Sequence, residues 1–268
     1  MFKTRFLSSV VLVILMVGGI FAGNMVFTAL FLAISLIGMM ELYRIYGIHK
    51  AAPGIVGYLL AVSYDLALYL GYMELSNMIL AGGLMLLMAV YVIAFPKYDT
   101  NQIMAAYFGY VYVAVMLSYV FRIRALEEGI ILIWLVFICS WINDTCAYLV
   151  GVLIGKHKMT PKLSPKKSYE GAIGGIVGTA LIAALYGYIF RGRMETITNP
   201  PMACAIACSL GAVLSIIGDL AASAIKRNHD VKDYGKIIPG HGGILDRFDS
   251  MIFTAPVVYW VVTMLSKF

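Results

Sequence analysis

Apolar runs close to bilayer length recur along the whole chain, and they decide most of what it can fold into. A helix needs about 20 apolar residues in a row to cross a hydrocarbon core. Runs near that length fall at roughly 6 to 22, 24 to 40, 54 to 72, 76 to 95, 103 to 121, 129 to 153, 171 to 191, 202 to 222 and 250 to 266. Only 13% of the 268 residues are charged, about half the share usual in a soluble globule. The expected fold is therefore all-α: a polytopic integral membrane protein with about nine transmembrane helices and a polar site on the cytoplasmic side.

The first two runs are separated only by Gly23 and Asn24, so two full crossings and a re-entrant hairpin both fit them. Lys3 and Arg5 ahead of an apolar run also resemble a secretory signal, with GIFAG as its cleavage site. That reading is disfavoured because the hydrophobicity continues directly into the second run. The sequence shows no internal repeat, and a single transmembrane domain over residues 1–268 is expected. Cys139, Cys146, Cys204 and Cys208 all lie inside apolar runs without a CxxC pair, and they read as buried thiols.

The net charge of +6 suits a membrane protein, whose lysines and arginines gather in cytoplasmic loops, and no nucleic-acid partner is expected from it. A cytoplasmic N-terminus puts 15 of the 20 cations inside, and only Arg122, Arg124, Arg191, Arg193 and Lys267 outside. The positive-inside rule selects that orientation, which places both long polar loops in the cytoplasm.

The first loop, GKHKMTPKLSPKKSYEG from Gly155 to Gly171, cannot be one continuous helix because of Pro161 and Pro165. Ser164 or Ser168 can cap a short helix there. Its five lysines read either as topological anchors beside anionic lipid or as a phosphate-binding surface. In the GAIGGIVG that closes it, Gly171 and Gly175, like Gly174 and Gly178, stand four apart, a spacing that lets helices pack closely.

The second loop is the densest polar stretch. Ser223 to Asp249 holds five basic residues, four aspartates, two histidines and four glycines in 27 positions. Acids inside the spans extend it: Asp65, Asp144 and Asp219 occupy positions where a charge costs several kcal/mol unless it meets water, a partner or a metal. Asp65 has only Ser63 and Tyr64 as polar neighbours, and a structural, hydrogen-bonded role is favoured for it. Asp246 and Asp249, three apart, share a helix face, and with Asp219 and Asp144 they can converge at one membrane depth. Such a set suits a hard cation, since magnesium takes one or two carboxylates and completes its shell with water and substrate phosphate. Asp219, Ser223, Lys226 and Arg227 follow at i, i+4, i+7 and i+8, so acid and cations share a helical face. PGHGG then bends the chain, its glycines allowing backbone N–H groups close to an anion.

These residues carry a resemblance. The pattern formed by Ser223, Lys226, Arg227, Lys232, Asp233, Pro239, His241, Gly242, Gly243, Asp246, Arg247 and Asp249 resembles the signature of the phosphatidate cytidylyltransferases, or CDP-diacylglycerol synthases. NDTCAY at 143–148 and SPKKSYEG at 164–171 extend it, the latter resembling the family's SPKKTWEG with Ser168 for threonine and Tyr169 for tryptophan. It covers roughly the C-terminal half, residues 129–268, which becomes the expected catalytic half beside N-terminal spans in 1–121.

The resemblance implies that CTP and phosphatidic acid give CDP-diacylglycerol and pyrophosphate with Mg2+ required, two bound cations and a homodimer. It implies Asp219 and Asp246 as metal ligands, with Asp249 and Asp144 in or beside the same shell. Lys226, Arg227, Lys232 and Arg247 would hold the substrate phosphates. Ser223 and His241 would orient phosphate oxygens, Gly242 and Gly243 belong to the substrate-binding bend, and Lys166 and Lys167 would close the site or attract the anionic substrates. The location implied is a bacterial inner membrane with the site facing the cytoplasm. An ion-coupled transporter would also bury Asp65, Asp144 and Asp219 but leaves the polar stretch unexplained. A CTP-dependent lipid-alcohol kinase would need a base for its hydroxyl nucleophile, no D-G-x2-A-R motif supports a CDP-alcohol phosphotransferase, and a purely structural scaffold would carry these acids at a cost.

Overall fold

The computed structural model describes residues 2–240 and 242–266, with side chains from Leu7 onward. His241 and Lys267, and the side chains of Lys3 and Arg5, lie outside the described residues.

The chain folds into helices α1 (Phe2–Phe21), α2 (Asn24–Ile45), α3 (Ala52–Tyr69), α4 (Met73–Ile93), α5 (Thr100–Arg124), α6 (Gly129–Ile154), α7 (Tyr169–Ile189), α8 (Pro200–Asn228) and α9 (Leu245–Leu265). Among the described residues, eight of these, α2 to α9, are long and apolar enough to cross a membrane, and Leu7–Phe21 of α1 forms a shorter apolar helix. The protein is an all-α polytopic membrane protein, as its apolar runs require. Between α6 and α7 the chain forms an antiparallel hairpin of β1 (Lys158–Thr160) and β2 (Ser164–Ser168), with Lys158 opposite Ser168 and Thr160 opposite Ser164.

The helices form two compact units, one of residues 1–121 with 233–247, the other of residues 122–232 with 248–268. In the first unit, Gly23 takes a left-handed backbone, φ 100°, and α1 turns back onto α2 so closely that a Cβ on Gly19 would lie 2.8 Å from Leu30. Tyr43 of α2 is a fully buried wedge whose hydroxyl donates to the Ala106 carbonyl at 2.5 Å. Glycines make room for it, since a Cβ on Gly57 or Gly109 would run into the ring or its hydroxyl. Asp65 of α3 is buried, but the expected hydrogen bond is missing: neither carboxylate oxygen has a hydrogen-bond partner among the described residues. Successive helical residues point about 100° apart, so Ser63 turns outward and Tyr64 sets its ring against Tyr110.

In the second unit the GAIGGIVG stripe packs helices, as its spacing predicts. A Cβ on Gly171 would lie 3.2 Å from Gly151 Cα, one on Gly174 2.5 Å from Val150, and one on Gly178 2.7 Å from Cys146 Sγ. α6 and α7 therefore touch almost backbone to backbone. All four cysteines are free thiols, and Cys139, Cys204 and Cys208 are buried. A π-helical turn, Ile138–Ile142, interrupts α6 immediately before Asn143 and Asp144. Such turns cluster at functional sites because they re-aim the side chains that follow.

Candidate active site

Helix α8 runs unbroken for 29 residues, so Asp219, Ser223 and Lys226 do follow one another along one side of a continuous rod. Their neighbour Arg227 parts from them: Lys226 is turned inward with 9% of its surface exposed, while Arg227 faces out and donates to the Val231 carbonyl at 3.3 Å. Gly218 lets α9 approach. A Cβ there would lie 2.9 Å from the Asp249 carbonyl and 2.8 Å from the Phe253 ring. Asp249 is thereby buried beside α8, and its Oδ1 accepts from the Ser250 amide at 2.7 Å. The charged groups that act on it are Asp219, Lys226 and Asp144. Lys167, from β2, forms an ion pair with Asp219. Acids from three helices and lysines from a helix and the hairpin are thus assembled in one region of the second unit.

The hairpin closes over a cavity of about 600 Å³ whose lining includes Asp144, Lys158, Ser164, Lys166 and Lys167 on its polar side. Ala147, Val152, Ala172 and Ile216 form the apolar side. The volume suits a small-molecule site. Ser168 caps α7, its hydroxyl accepting from Gly171 N at 3.2 Å, one of the two capping serines expected. Glu170 ties down the start of the loop, with the His157 amide donating to both carboxylate oxygens at 3.2 Å and the ring Nδ1 at 2.5 Å. Beside the cavity Asn143 is buried, its amide donating to Ser215 Oγ at 3.4 Å. Sequence reading passed over Asn143 as part of NDTCAY, although a polar amide next to Asp144 in an apolar run was a usable signal.

The rest of the polar stretch belongs to the first unit. Asp246 sits in the first turn of α9, and its Oδ2 accepts from the Tyr234 amide at 2.8 Å and the Gly243 amide at 2.9 Å. The PGHGG bend is real: Gly240 and Gly242 have φ of 78° and 87°, and Ile238 N donates to the Gly242 carbonyl at 2.9 Å. Gly242 packs against acids, since a Cβ would lie 3.0 Å from Asp246 Oδ2 and 3.3 Å from Asp233 Oδ1. Of the remaining candidates, Lys166, Lys232 and Arg247 are exposed, Ser223 is half-buried, and His241 lies outside the described residues. Glu41 is the acid that sequence reading missed. It is fully buried in α2, and its carboxylate accepts from the Ile244 and Leu245 amides at 3.1 and 2.9 Å. The second apolar run ends at residue 40, one position short of it, while the helix continues to Ile45.

Among the described residues no three His, Cys, Asp or Glu side chains already stand as a metal-binding group. The acids nevertheless suit a hard cation. The buried Asp249 feels the charges of Asp219, Lys226 and Asp144, Lys167 is paired with Asp219, and magnesium asks for only one or two protein carboxylates.

Residues 3–265 match the sequence model of the Cytidylyltransferase family. The chain belongs to that family. Similar proteins named phosphatidate cytidylyltransferase include one from Bacillus subtilis, 32% identical over 270 residues and 98% of both chains. One from Staphylococcus saprophyticus is 30% identical over 96% of this chain and 97% of its own. One from Thermotoga maritima is 34% identical over 63% of each. This cytidylyltransferase family member is therefore a nucleotidyltransferase built into a membrane, and the resemblance read from motifs in the C-terminal half extends over nearly all of the chain.

Proposed function

We propose that this protein transfers the cytidylyl group of CTP to phosphatidic acid, giving CDP-diacylglycerol and pyrophosphate. The observation that carries the reading is the buried Asp249 with Asp219, Asp144 and Lys226 acting on it and Lys167 paired to Asp219, in a chain whose relatives are named for this reaction. A lipid phosphate oxygen attacks the α-phosphorus of CTP, a new P–O bond forms, and the bond to pyrophosphate breaks. The second pKa of a phosphate monoester is about 6, so the nucleophile is already an anion and no strong general base is required. What the protein must supply is alignment and charge neutralisation.

Lys226, Lys167 and Lys166 serve that need at the acid cluster, with Arg227, Lys232 and Arg247 as exposed cations that attract the two anionic substrates. The cavity under the hairpin offers lysines on one side and apolar residues on the other, which suits a lipid phosphate with its acyl chains remaining in the bilayer. Asp219, Asp249 and Asp144 would hold Mg2+ in the second unit, and Asp246 of the first unit is proposed as an oxygen donor from the family motif. When bound, the cation would polarise the phosphate oxygens and offset the charge that develops on them. The excess of cations in the loops of one side supports a site that faces the cytoplasm.

Turnover tests the reading. Protein in mixed micelles, given radiolabelled CTP and phosphatidic acid with a divalent-cation screen, is expected to form labelled CDP-diacylglycerol and pyrophosphate. Release of CDP with a phosphorylated lipid alcohol would instead identify a kinase, and no turnover across the cation and nucleotide screen would overturn the proposal.

A further inference from the structure

Glu41 stands outside every motif in the chain, yet it is 0% exposed in a membrane-spanning helix. A carboxylate so placed is costly unless it is satisfied by fixed partners. Its partners are two consecutive backbone amides, Ile244 N on Oε1 and Leu245 N on Oε2. These belong to the unsatisfied N–H groups at the start of α9, where the helix dipole also favours a negative charge. The cradle is shaped for it on two sides, since a Cβ on Gly235 or on Gly243 would be driven into the Glu41 carboxylate.

The same short segment holds Asp246. The Gly243 amide goes to Asp246 Oδ2 and the next two amides go to Glu41, so three successive N–H groups are divided between two carboxylates. Tyr234 N supplies the second bond to Asp246 Oδ2. The segment that orients Asp246 is therefore fixed from outside by Glu41.

We infer that Glu41 is a positioning residue for Asp246: by clamping the Ile244 and Leu245 amides it sets the angle at which the Asp246 carboxylate is presented to a cation and the substrate phosphates. The inference rests on the reading that Asp246 serves the proposed reaction, and one arm of its test does not use turnover. Outer carboxylates that orient a ligand typically change metal affinity by about 10- to 100-fold when altered. A misplacement of about 1 Å can cost about 100-fold in rate.

The variants are Glu41→Gln, isosteric but able to accept only through one atom, and Gly235→Ala, which pushes on the carboxylate while leaving it charged. Mn2+ binding is followed by electron paramagnetic resonance without substrate, and cooperative thermal unfolding in detergent reports the fold. In folded protein, both variants are expected to weaken Mn2+ binding by about tenfold. kcat should fall by about 10- to 100-fold with KM for CTP within about threefold, the pattern of an interaction lost in the transition state. Parent-like Mn2+ affinity in a folded variant, or no Mn2+ binding by the parent, overturns the inference. Failure of both variants to fold assigns Glu41 to the fold alone and overturns it equally. If the parent binds Mn2+ but turns over no CTP, the functional reading fails while the binding arm still reports on Glu41.

Discussion

The two polar segments of this molecule hold their charges by opposite means. In the hairpin segment from Gly155 to Ser168, Lys156, Lys158, Lys162 and Lys166 are not buried, and the fastening is the largely exposed His157 against Glu170 together with the Ser168 cap. In the segment from Asp233 to Arg247, the fastening is buried: Glu41 and Asp246 take up four backbone amides between them. Exposed ion pairs contribute little and are screened by salt, whereas hydrogen bonds from buried amides to carboxylates are strong and expensive to leave unmade. The lesson is a division of labour. Under the proposed function, cations that gather mobile anionic substrates would tolerate a loose mount, and an acid that meets a hard cation at fixed angles would need a rigid one.

The comparison can be broken by substitutions graded across it. Asp246→Asn keeps an oxygen for the Tyr234 and Gly243 amides and loses the charge, so the protein is expected to fold while turnover falls by about 1,000-fold. Turnover near the parent value would remove Asp246 from the rigid, functional side. Lys167→Ala deprives Asp219 of its partner and is expected to lower turnover by about tenfold, with a steeper dependence on phosphatidic acid than on CTP in initial-rate measurements. An unchanged rate would make that lysine a topological anchor only. His157→Ala removes half of an exposed pair and should change turnover by less than about twofold. A large loss there would show that the hairpin is held as strictly as the other segment.

Much of the fold was legible because lipid forces the issue. Each of the nine apolar runs lies largely within one helix, with boundaries off by a few residues, since hydropathy reports where side chains stop being apolar and says little of where the helix ends. That difference hid Glu41, which continues α2 past the end of its apolar run. The glycine stripe on α7 was readable as packing because its spacing of four is itself the contact geometry. The hairpin was not readable: Pro161 and Pro165 exclude a helix, but Lys158 and Ser168 meet only through a local pairing that polar, lysine-rich strands do not advertise. Asp65 misled because its polar neighbours in sequence point to other directions around the helix.

The sequence by itself determined the membrane-spanning helical class, the family and the identity of the acids and cations, because apolar run length and a dense polar motif are linear properties. Only the tertiary structure decided which charges stand together. Lys226 turns in while Arg227 turns out, Lys167 pairs with Asp219, and a glutamate some 200 residues away in sequence clamps the start of α9. Those outcomes depend on helix rotation and close approach at glycines, which pairwise packing fixes and no single stretch of chain encodes.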